Sequence, residues 1–249
     1  LDEQRVAITE LTGRWHDAPV TITGWGAMGG GKAFDLRVRV DDGLLGDPFR
    51  KLTDASSLQI VRQRVRRYHD RFDPRGPCDV DARVWADEEG RFLAELDLTF
   101  DGRASVAYEG FPYRIEGLAG LVKVRPREVS FHDLEGRRGT ARIRLGGSVD
   151  LTGGQESPDL TLQAVDLPLD DHLGQALAAM AEQAGRQYEH FDLDGSIDVA
   201  GRIRRDGDNP FSYDLTASLK NVALTFDQCP YALEDVVGAQ LGVELDHGD

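Results

Sequence analysis

The sequence is 249 residues long, with a formal net charge of −15 and 40% hydrophobic residues. That length is enough to bury a substantial core, in one large β domain or in two smaller units. No segment has the density of basic residues that binds a phosphate backbone, which argues against a nucleic-acid partner. The sequence contains no apolar run long enough to span a bilayer and no signal peptide. Because the first residue is Leu1 rather than Met, we expect any targeting signal or anchor to lie outside this sequence.

A glycine-rich stretch near the N-terminus, Gly26–Lys32, reads G-x-x-x-x-G-K, close to a phosphate-binding loop. Such a loop needs a helix after it, so that backbone N–H groups and the helix dipole converge on the phosphate. The segment after Lys32, FDLRVRV, instead alternates like a strand, and Ala33 stands where a Ser or Thr would bind magnesium. We therefore predict a flexible turn between two strands and no nucleotide partner.

A helix is predicted between residues 54 and 72, because apolar residues recur there at helical spacing: Leu58, Val61, Val65 and Tyr68. The run RQRVRRYHDR on this helix stands out in an acidic chain. Three of its arginines are candidates for contact with anionic lipid head groups: Arg62, Arg66 and Arg67. The alternative is an ordinary solvated helix face, and the second predicted helix, which is not basic, favours that alternative.

Within each unit, segments such as DVDARV, AELDLTF and RLGGSVDL alternate strictly between apolar and polar residues. A period of two is typical of strands with one apolar and one wet face. About fourteen such segments, joined by Gly- and Asp-rich turns, predict antiparallel meanders. The acidic pairs Asp79/Asp81 and Glu95/Asp97 fall on the polar face. Paired carboxylates serve glycosidases, but here we favour a solvated face that discourages aggregation, and no catalytic residue is assigned.

A second helix is predicted after the segment DLPLDD, where Asp170 and Asp171 are suited to capping its first turn. Its apolar positions again follow helical spacing: Leu173, Leu177, Met180, Ala184 and Tyr188.

Neither a metal site nor a cofactor is predicted. Cys78 and Cys229 lack zinc-ligand spacing, and the six histidines are scattered. Two small buried residues are a simpler interpretation of the cysteines than a disulfide formed in an oxidising compartment. The stretch DLDGSID from Asp192 resembles a calcium loop, but it lacks the acid, Gly and Glu required at the fifth, sixth and twelfth positions. A polar turn entering a strand is favoured over a weak calcium site.

Internal repetition decides the predicted architecture. Four pairs of segments recur at separations of 118 to 124 residues: VAITELTG and VSFHDLEG, FDLRVRV and PDLTLQAV, FDPRGPCDVDARV and FDLDGSIDVAGRI, FPYRIEGLAG and CPYALEDVVG. Residues 1–71 are interpreted as the tail of a first repeat with its crossover helix, and residues 72–190 as one complete repeat ending in a crossover helix. Residues 191–249 are the head of a third. This pattern is expected of a slice of a longer array.

The predicted strands present more apolar surface than two narrow helical stripes can cover. Long open antiparallel sheets curl rather than stay flat. We therefore predict a mainly β fold: a long curled antiparallel sheet, a repeating β-groove, with one crossover helix per repeat. The residues expected to line the groove occupy the apolar positions of the two-residue alternation in their strands: Val80, Val84, Leu96, Leu98, Phe100, Phe131, Ile143, Leu145, Val149, Leu160, Leu162, Val199, Ile203, Tyr213 and Leu215.

These repeated elements, from DLPLDDHLGQAL and HFDLDGSIDVAGRI to FPYRIEGLAG and RLGGSVDL, resemble the AsmA-like and TamB-like envelope proteins. That family belongs to the repeating β-groove superfamily of bridge-like lipid transfer proteins, and the resemblance covers nearly the whole chain. It implies a periplasmic, non-enzymatic protein of a diderm bacterium, anchored in the inner membrane by a helix that this sequence lacks. It further implies that the groove conducts phospholipids between the inner and outer membranes. The family has no catalytic residues to assign.

Two other functions stay open at this point. A self-packed β-sandwich array would serve as an envelope scaffold or assembly protein, with a closed interior and no lipid transport. A carbohydrate-active β-solenoid would need shorter strand repeats and an acidic cluster on one face. The period near 120 residues, with its crossover helices, argues against the solenoid.

Overall fold

The computed structural model describes residues 5–28, 33–47, 59–86, 89–152, 155–205, 211–226, 229–238 and 240–244. The strands are β1 (Arg5–Trp15), β2 (Ala18–Ala27), β3 (Phe34–Leu45), β4 (Gly76–Ala86), β5 (Phe92–Tyr108), β6 (Phe111–Arg125), β7 (Glu128–Arg138), β8 (Ala141–Asp150), β9 (Ser157–Pro168), β10 (Phe191–Arg204), β11 (Ser212–Phe226), β12 (Cys229–Val236) and β13 (Gln240–Glu244). The helices are α1 (Gln59–Phe72), α2 (Asp171–Met180) and α3 (Glu182–Glu189).

The strands lie in chain order across one antiparallel sheet, from β1 to β12, and β13 pairs with β11 alongside β12. Within the described residues β1 and β12 do not pair with each other, so the sheet is open rather than a barrel. The predicted fold class, a mainly β protein built on a long antiparallel sheet, is confirmed. The described residues form thirteen strands, compared with about fourteen predicted for the chain.

Of the Gly26–Lys32 stretch, Gly26 and Ala27 end β2, and residues 29–32 fall outside the described ranges. The backbone N–H of Ala27 donates to the carbonyl of Ala33 at 2.9 Å, as expected of a turn that joins two paired strands. A strand, not a helix, follows it. The DLDGSID stretch lies within β10, so the polar turn predicted there is wrong: the strand begins before it, at Phe191.

Two helical connections follow odd-numbered strands and therefore lie along the same row of strand ends. In the first, α1 joins β3 to β4, and in the second, α2 and α3 join β9 to β10. The predicted cap is confirmed, because the carboxylate of Asp170 accepts the backbone N–H of Leu173 at 2.9 Å. The second crossover contains two helices where one was predicted. Ala181, with φ −151° and ψ 114°, is extended and separates them. Gly185 lets them approach closely, since a Cβ there would lie 2.3 Å from the Cβ of Ala178.

Each odd-numbered strand from β1 to β11 carries at least one β-bulge, where its register shifts against a neighbouring strand. Bulges bend a strand and increase its twist. From β3 onward each of these strands has, within a bulge, a residue with φ between 47° and 96°: Asp42, Gly102, Asp133, Asp166 and Asn221. Asp, Asn and Gly adopt this left-handed conformation most readily. The bulges therefore give the sheet its curl.

The bulge of β3 is stabilised by charges on the two following strands. The backbone N–H of Asp42, left without a ladder partner by the bulge, donates to the Asp79 carboxylate at 2.9 Å. The Asp42 carboxylate in turn pairs with Arg103 on β5. The corresponding residues of the next unit make the same contacts: Asp166, Asp198 and Lys220.

Candidate functional site

All fifteen residues predicted to line a groove lie on one face of the sheet, which we call the inner face. Three of them are buried, namely Val80, Phe100 and Ile143, and the other twelve are half-buried. Strand register explains why they come together: an inward side chain on one strand is paired with an inward side chain on the next. The inner face is the candidate site.

An unbroken row of paired residues crosses eleven strands on this face, and no member is charged. This inner row consists of Gly13, Val20, Val40, Val80, Leu98, Val122, Phe131, Gly147, Leu160, Ile203 and Tyr213. Tyr213 is the only polar member, and burial, followed by the neighbouring phenol of Tyr108, raises its pKa. The row runs across the strands, along the length of the sheet.

The sequence neighbours of the inner-row residues form a second row on the opposite face of the sheet, which we call the outer face. All members of this second row are polar. This outer row is Thr12, Thr21, Arg39, Asp81, Asp97, Lys123, Ser130, Ser148, Asp159, Arg204 and Ser212. The acidic pairs Asp79/Asp81 and Glu95/Asp97 also lie on this face. Opposite charges meet on neighbouring strands, as where Arg125 pairs with Asp97 at 2.6 Å. The sheet thus has an apolar inner face and a polar outer face.

The sheet curls until its two long rims touch. These rims are the two rows of strand ends. The one that contains the β8–β9 connection is called the upper rim, and the one that contains α1 and the β5–β6 turn is called the lower rim. Arg71 of α1 pairs with Glu156 of the β8–β9 connection, and Arg67 lies 3.9 Å from the same carboxylate. Arg71 also donates to the hydroxyl of Tyr108, at the end of β5, at 3.1 Å. The inner face is therefore the inside of a trough, bridged at this point by an ion-pair cluster that we call the rim bridge.

Helix α2 covers the part of the inner face that lies near the lower rim. Leu173 and Ala176 of α2 pack with Tyr113 and Ile143 in one buried cluster, and Leu162 is among the residues packed against it. Ile143, predicted to line the groove, therefore belongs to the core under α2. A second cluster joins the middle of β4 to β7 and includes Val80 and Phe100. Leu160, by contrast, belongs to neither cluster.

The candidate head-group arginines lie on α1. The side chains of Arg66 and Arg67 are 55% and 73% exposed, and each has an acidic neighbour, Asp70 for Arg66 and Glu156 for Arg67. The side chain of Arg62 lies outside what the structure describes. Arg71, which was not singled out from the sequence, makes the more extensive contacts across the trough.

A cavity of about 410 Å³ lies at the upper rim and is lined by Trp25, Asp35 and Trp85 among others. These three residues occupy the outer face, where Trp25, Asp35 and Trp85 pair in register on β2, β3 and β4. Asp35 is neutralised by Arg83 at 2.7 Å, which lowers the pKa of that carboxyl. Phe34 and Ala86, which also line the cavity, belong to the inner face, so the cavity lies where the two faces meet at the rim.

No helix within the described residues has the length and apolar character needed to cross a bilayer. Comparison with known proteins gives no assignment: no protein-family model, no curated protein and no solved structure matches the chain.

Proposed function

We propose that this chain is a section of a periplasmic, AsmA-like trough whose inner face carries the acyl chains of phospholipids between inner and outer membranes. The inner row is the observation that carries the proposal. The row crosses eleven strands without a charged residue, and most of the fifteen lining residues stay half-buried instead of being covered by a second layer. Each square ångström of apolar surface withdrawn from water contributes about 25 cal/mol, so a hydrocarbon chain in the trough is stabilised.

The proposed mechanism depends on shape and polarity, not on a chemical step. An acyl chain lying across the strands meets one apolar side chain after another, so that successive positions are close in energy and it can slide. The polar outer row keeps the opposite face in water. A head group, which is costly to bury, stays at a rim, where Arg66 and Arg67 are exposed.

Leu160 and Thr161 provide a matched pair for testing this proposal, because neighbours in a strand face opposite ways. Leu160 lies on the inner row outside both core clusters, and Thr161 is exposed on the outer face. We expect Leu160→Asp to weaken uptake of a fluorescent phospholipid at least about tenfold, corresponding to about 1.4 kcal/mol for placing a charge against hydrocarbon. Thr161→Asp should leave uptake unchanged. Thermal unfolding of both variants separates lost binding from lost folding.

The competing function is an envelope scaffold without lipid transport, and the rim bridge together with the cover provided by α2 is what favours it. Purified wild-type protein distinguishes the two functions. Co-purifying phospholipid in native mass spectrometry, with uptake sensitive to Leu160→Asp, is expected of a conduit. Well-folded protein with neither bound lipid nor uptake would refute the conduit and favour the scaffold.

A further inference from the structure

The cavity at the upper rim is a concave site to which the proposed conduit assigns no role. Its volume of about 410 Å³ falls within the roughly 300–1,000 Å³ of small-molecule binding pockets. Its walls come from both faces of the sheet, since Trp25 and Trp85 belong to the outer face, and Phe34 and Ala86 to the inner face. A ligand in this cavity therefore meets a polar wall and an apolar wall.

The two tryptophans are specific to this unit of the repeat. On β2, β3 and β4 the outer face presents a row of paired residues: Trp25, Asp35 and Trp85. The corresponding row on β8, β9 and β10 is Ser148, Asp159 and Arg204. Asp35 pairs with Arg83, and its counterpart pairs in the same way with Arg202. The ion pair is thus part of the repeated scaffold, whereas the fold does not require the tryptophans.

Both tryptophan rings already lie against positive charge. The guanidinium of Arg5 is 4.3 Å from the centre of the Trp25 ring, and that of Arg83 is 4.8 Å from the centre of the Trp85 ring. Cations are attracted to the face of an aromatic ring, and to indole most strongly. The ring wall therefore stabilises a positively charged group of a ligand.

The β4–β5 connection contributes one charge of each sign to the cavity. Arg91 pairs with Glu89 at 2.9 Å, and the two side chains are 74% and 71% exposed. An ion pair this exposed contributes little to stability, so it opens at low cost. A zwitterion that enters it replaces one exposed pair with two, because its anion meets Arg91 and its cation meets Glu89. Arg5 adds a further cation from the β1 side.

The apolar wall of the cavity leads onto the inner face. Phe34 and Ala86 are paired neighbours near the upper ends of β3 and β4. The rings of Phe34 and Phe92 lie 6.0 Å apart on the same face. Val40, a member of the inner row, lies further along β3. Hydrocarbon attached to a group in the cavity thus has an apolar path over the rim into the trough.

We propose that this cavity binds the head group of a zwitterionic phospholipid, which carries one phosphate and one ammonium group, while the acyl chains pass over the rim onto the inner face. The phosphate contacts Arg5 and Arg91, and the ammonium lies against the tryptophan rings beside Glu89. This inference rests on the proposed conduit and adds head-group selectivity to it. A phospholipid without the ammonium loses the contacts with the rings and with the carboxylate.

Two phospholipids with identical acyl chains, labelled on one chain, test the site: phosphatidylethanolamine carries the ammonium, and phosphatidylglycerol does not. In a fluorescence titration the wild type should bind phosphatidylethanolamine at least about fivefold more tightly, as expected of one cation–π contact. Trp85→Leu and Glu89→Gln should each remove this preference by weakening binding of phosphatidylethanolamine alone. Arg91→Gln should weaken binding of both lipids, since both carry the phosphate.

Arg204→Leu is the matched control, because Arg204 occupies the place of Trp85 in the next unit and is exposed on the same outer face. It should keep the wild-type preference. Circular dichroism of all variants checks the fold. Uptake of both lipids without preference overturns the site and leaves the conduit standing, as does a preference that survives both Trp85→Leu and Glu89→Gln. Uptake of neither lipid overturns the conduit and the site together.

Glycerophosphoethanolamine separates a lipid from a soluble phosphoester, because it has the same head group without acyl chains. It should displace labelled phosphatidylethanolamine only at far higher concentration, since it gains nothing from the inner face. Displacement at equal concentration would identify a soluble phosphoester as the ligand and overturn the lipid assignment.

Discussion

Cys78 near the start of β4 is 3% exposed, within the core cluster that joins β4 to β7. Burial, with a contribution from the carboxylate of Asp79, raises the pKa of its thiol from 9.0 to about 12. A thiol held protonated in apolar surroundings is unreactive at neutral pH. The interpretation of Cys78 as a small buried residue is confirmed, and the side chain of Cys229 lies outside what the structure describes.

We expect Cys78 to make stability depend on alkaline pH. Above its unfolded pKa of 9.0 the thiol ionises only in the unfolded chain, so the free energy of unfolding falls as pH rises towards about 12. The stability difference between wild type and Cys78→Ala should shrink by up to about 1.4 kcal/mol per pH unit in that window. Urea denaturation of both proteins at about pH 8 and about pH 11, in a Cys229→Ser background, measures it. A pH-independent difference would contradict the expectation.

Individual strands bend because of backbone features that recur from one unit to the next. Gly147 on β8 has φ 109°, and a Cβ there would lie 2.2 Å from the carbonyl oxygen of Asp159. Its counterpart Gly24 on β2 has φ 137°, and a Cβ there would lie 2.1 Å from the carbonyl oxygen of Asp35. At both places neighbouring strands approach closely on the inner face, which only glycine allows.

Gly147→Ala is accordingly expected to lower the free energy of unfolding by about 3 kcal/mol, combining backbone strain with steric overlap against a neighbouring strand. Gly13→Ala is the control, because a Cβ at that position meets no atom within 4 Å. It should change stability by less than about 0.5 kcal/mol. Chemical denaturation of the two variants gives both values. Equal effects would show that the close approach at Gly147 does not limit the fold.

The whole molecule depends on contacts between parts that are far apart in the sequence. Arg71 and Glu156 are separated by 85 residues and sit on opposite rims, yet their charges meet over the trough. Largely exposed ion pairs contribute only about 0–1 kcal/mol to stability. The side chains here are 20% and 26% exposed, so this bridge between the two rims is better shielded from water than such a pair.

Reversing the charge at Glu156 should open the trough without unfolding it. Glu156→Lys places a cation beside Arg67 and Arg71, and the repulsion should move the rims apart. Spin labels at Glu109 and Thr152, one on each rim, report this as a longer mean distance, measured in a Cys229→Ser background. Glu156→Gln, which removes the attraction without adding repulsion, should lengthen the distance less. An unchanged distance in Glu156→Lys would mean that the bridge does not hold the rims.

Strand alternation and the repeat could be interpreted from the sequence alone, because both are properties of neighbouring or regularly spaced residues. A period of two places the side chains of Leu160 and Thr161 on opposite faces of the sheet, regardless of how the sheet bends. The cap at Asp170 is equally local. The bulges were missed, although their signal is visible as a lone Asp or Asn within strand sequence, as at Asp133 and Asn221.

Only the tertiary structure decided how strongly the strands bend and what the bending brings together. The break at Ala181, the cover of Ile143 by α2 and the rim bridge all depend on contacts between distant segments. Local propensity contains no information about such contacts, because their geometry accumulates from small twists and bulges over many strands. The sequence by itself determined which side chains face inward, and the three-dimensional curl determined which of those remain uncovered.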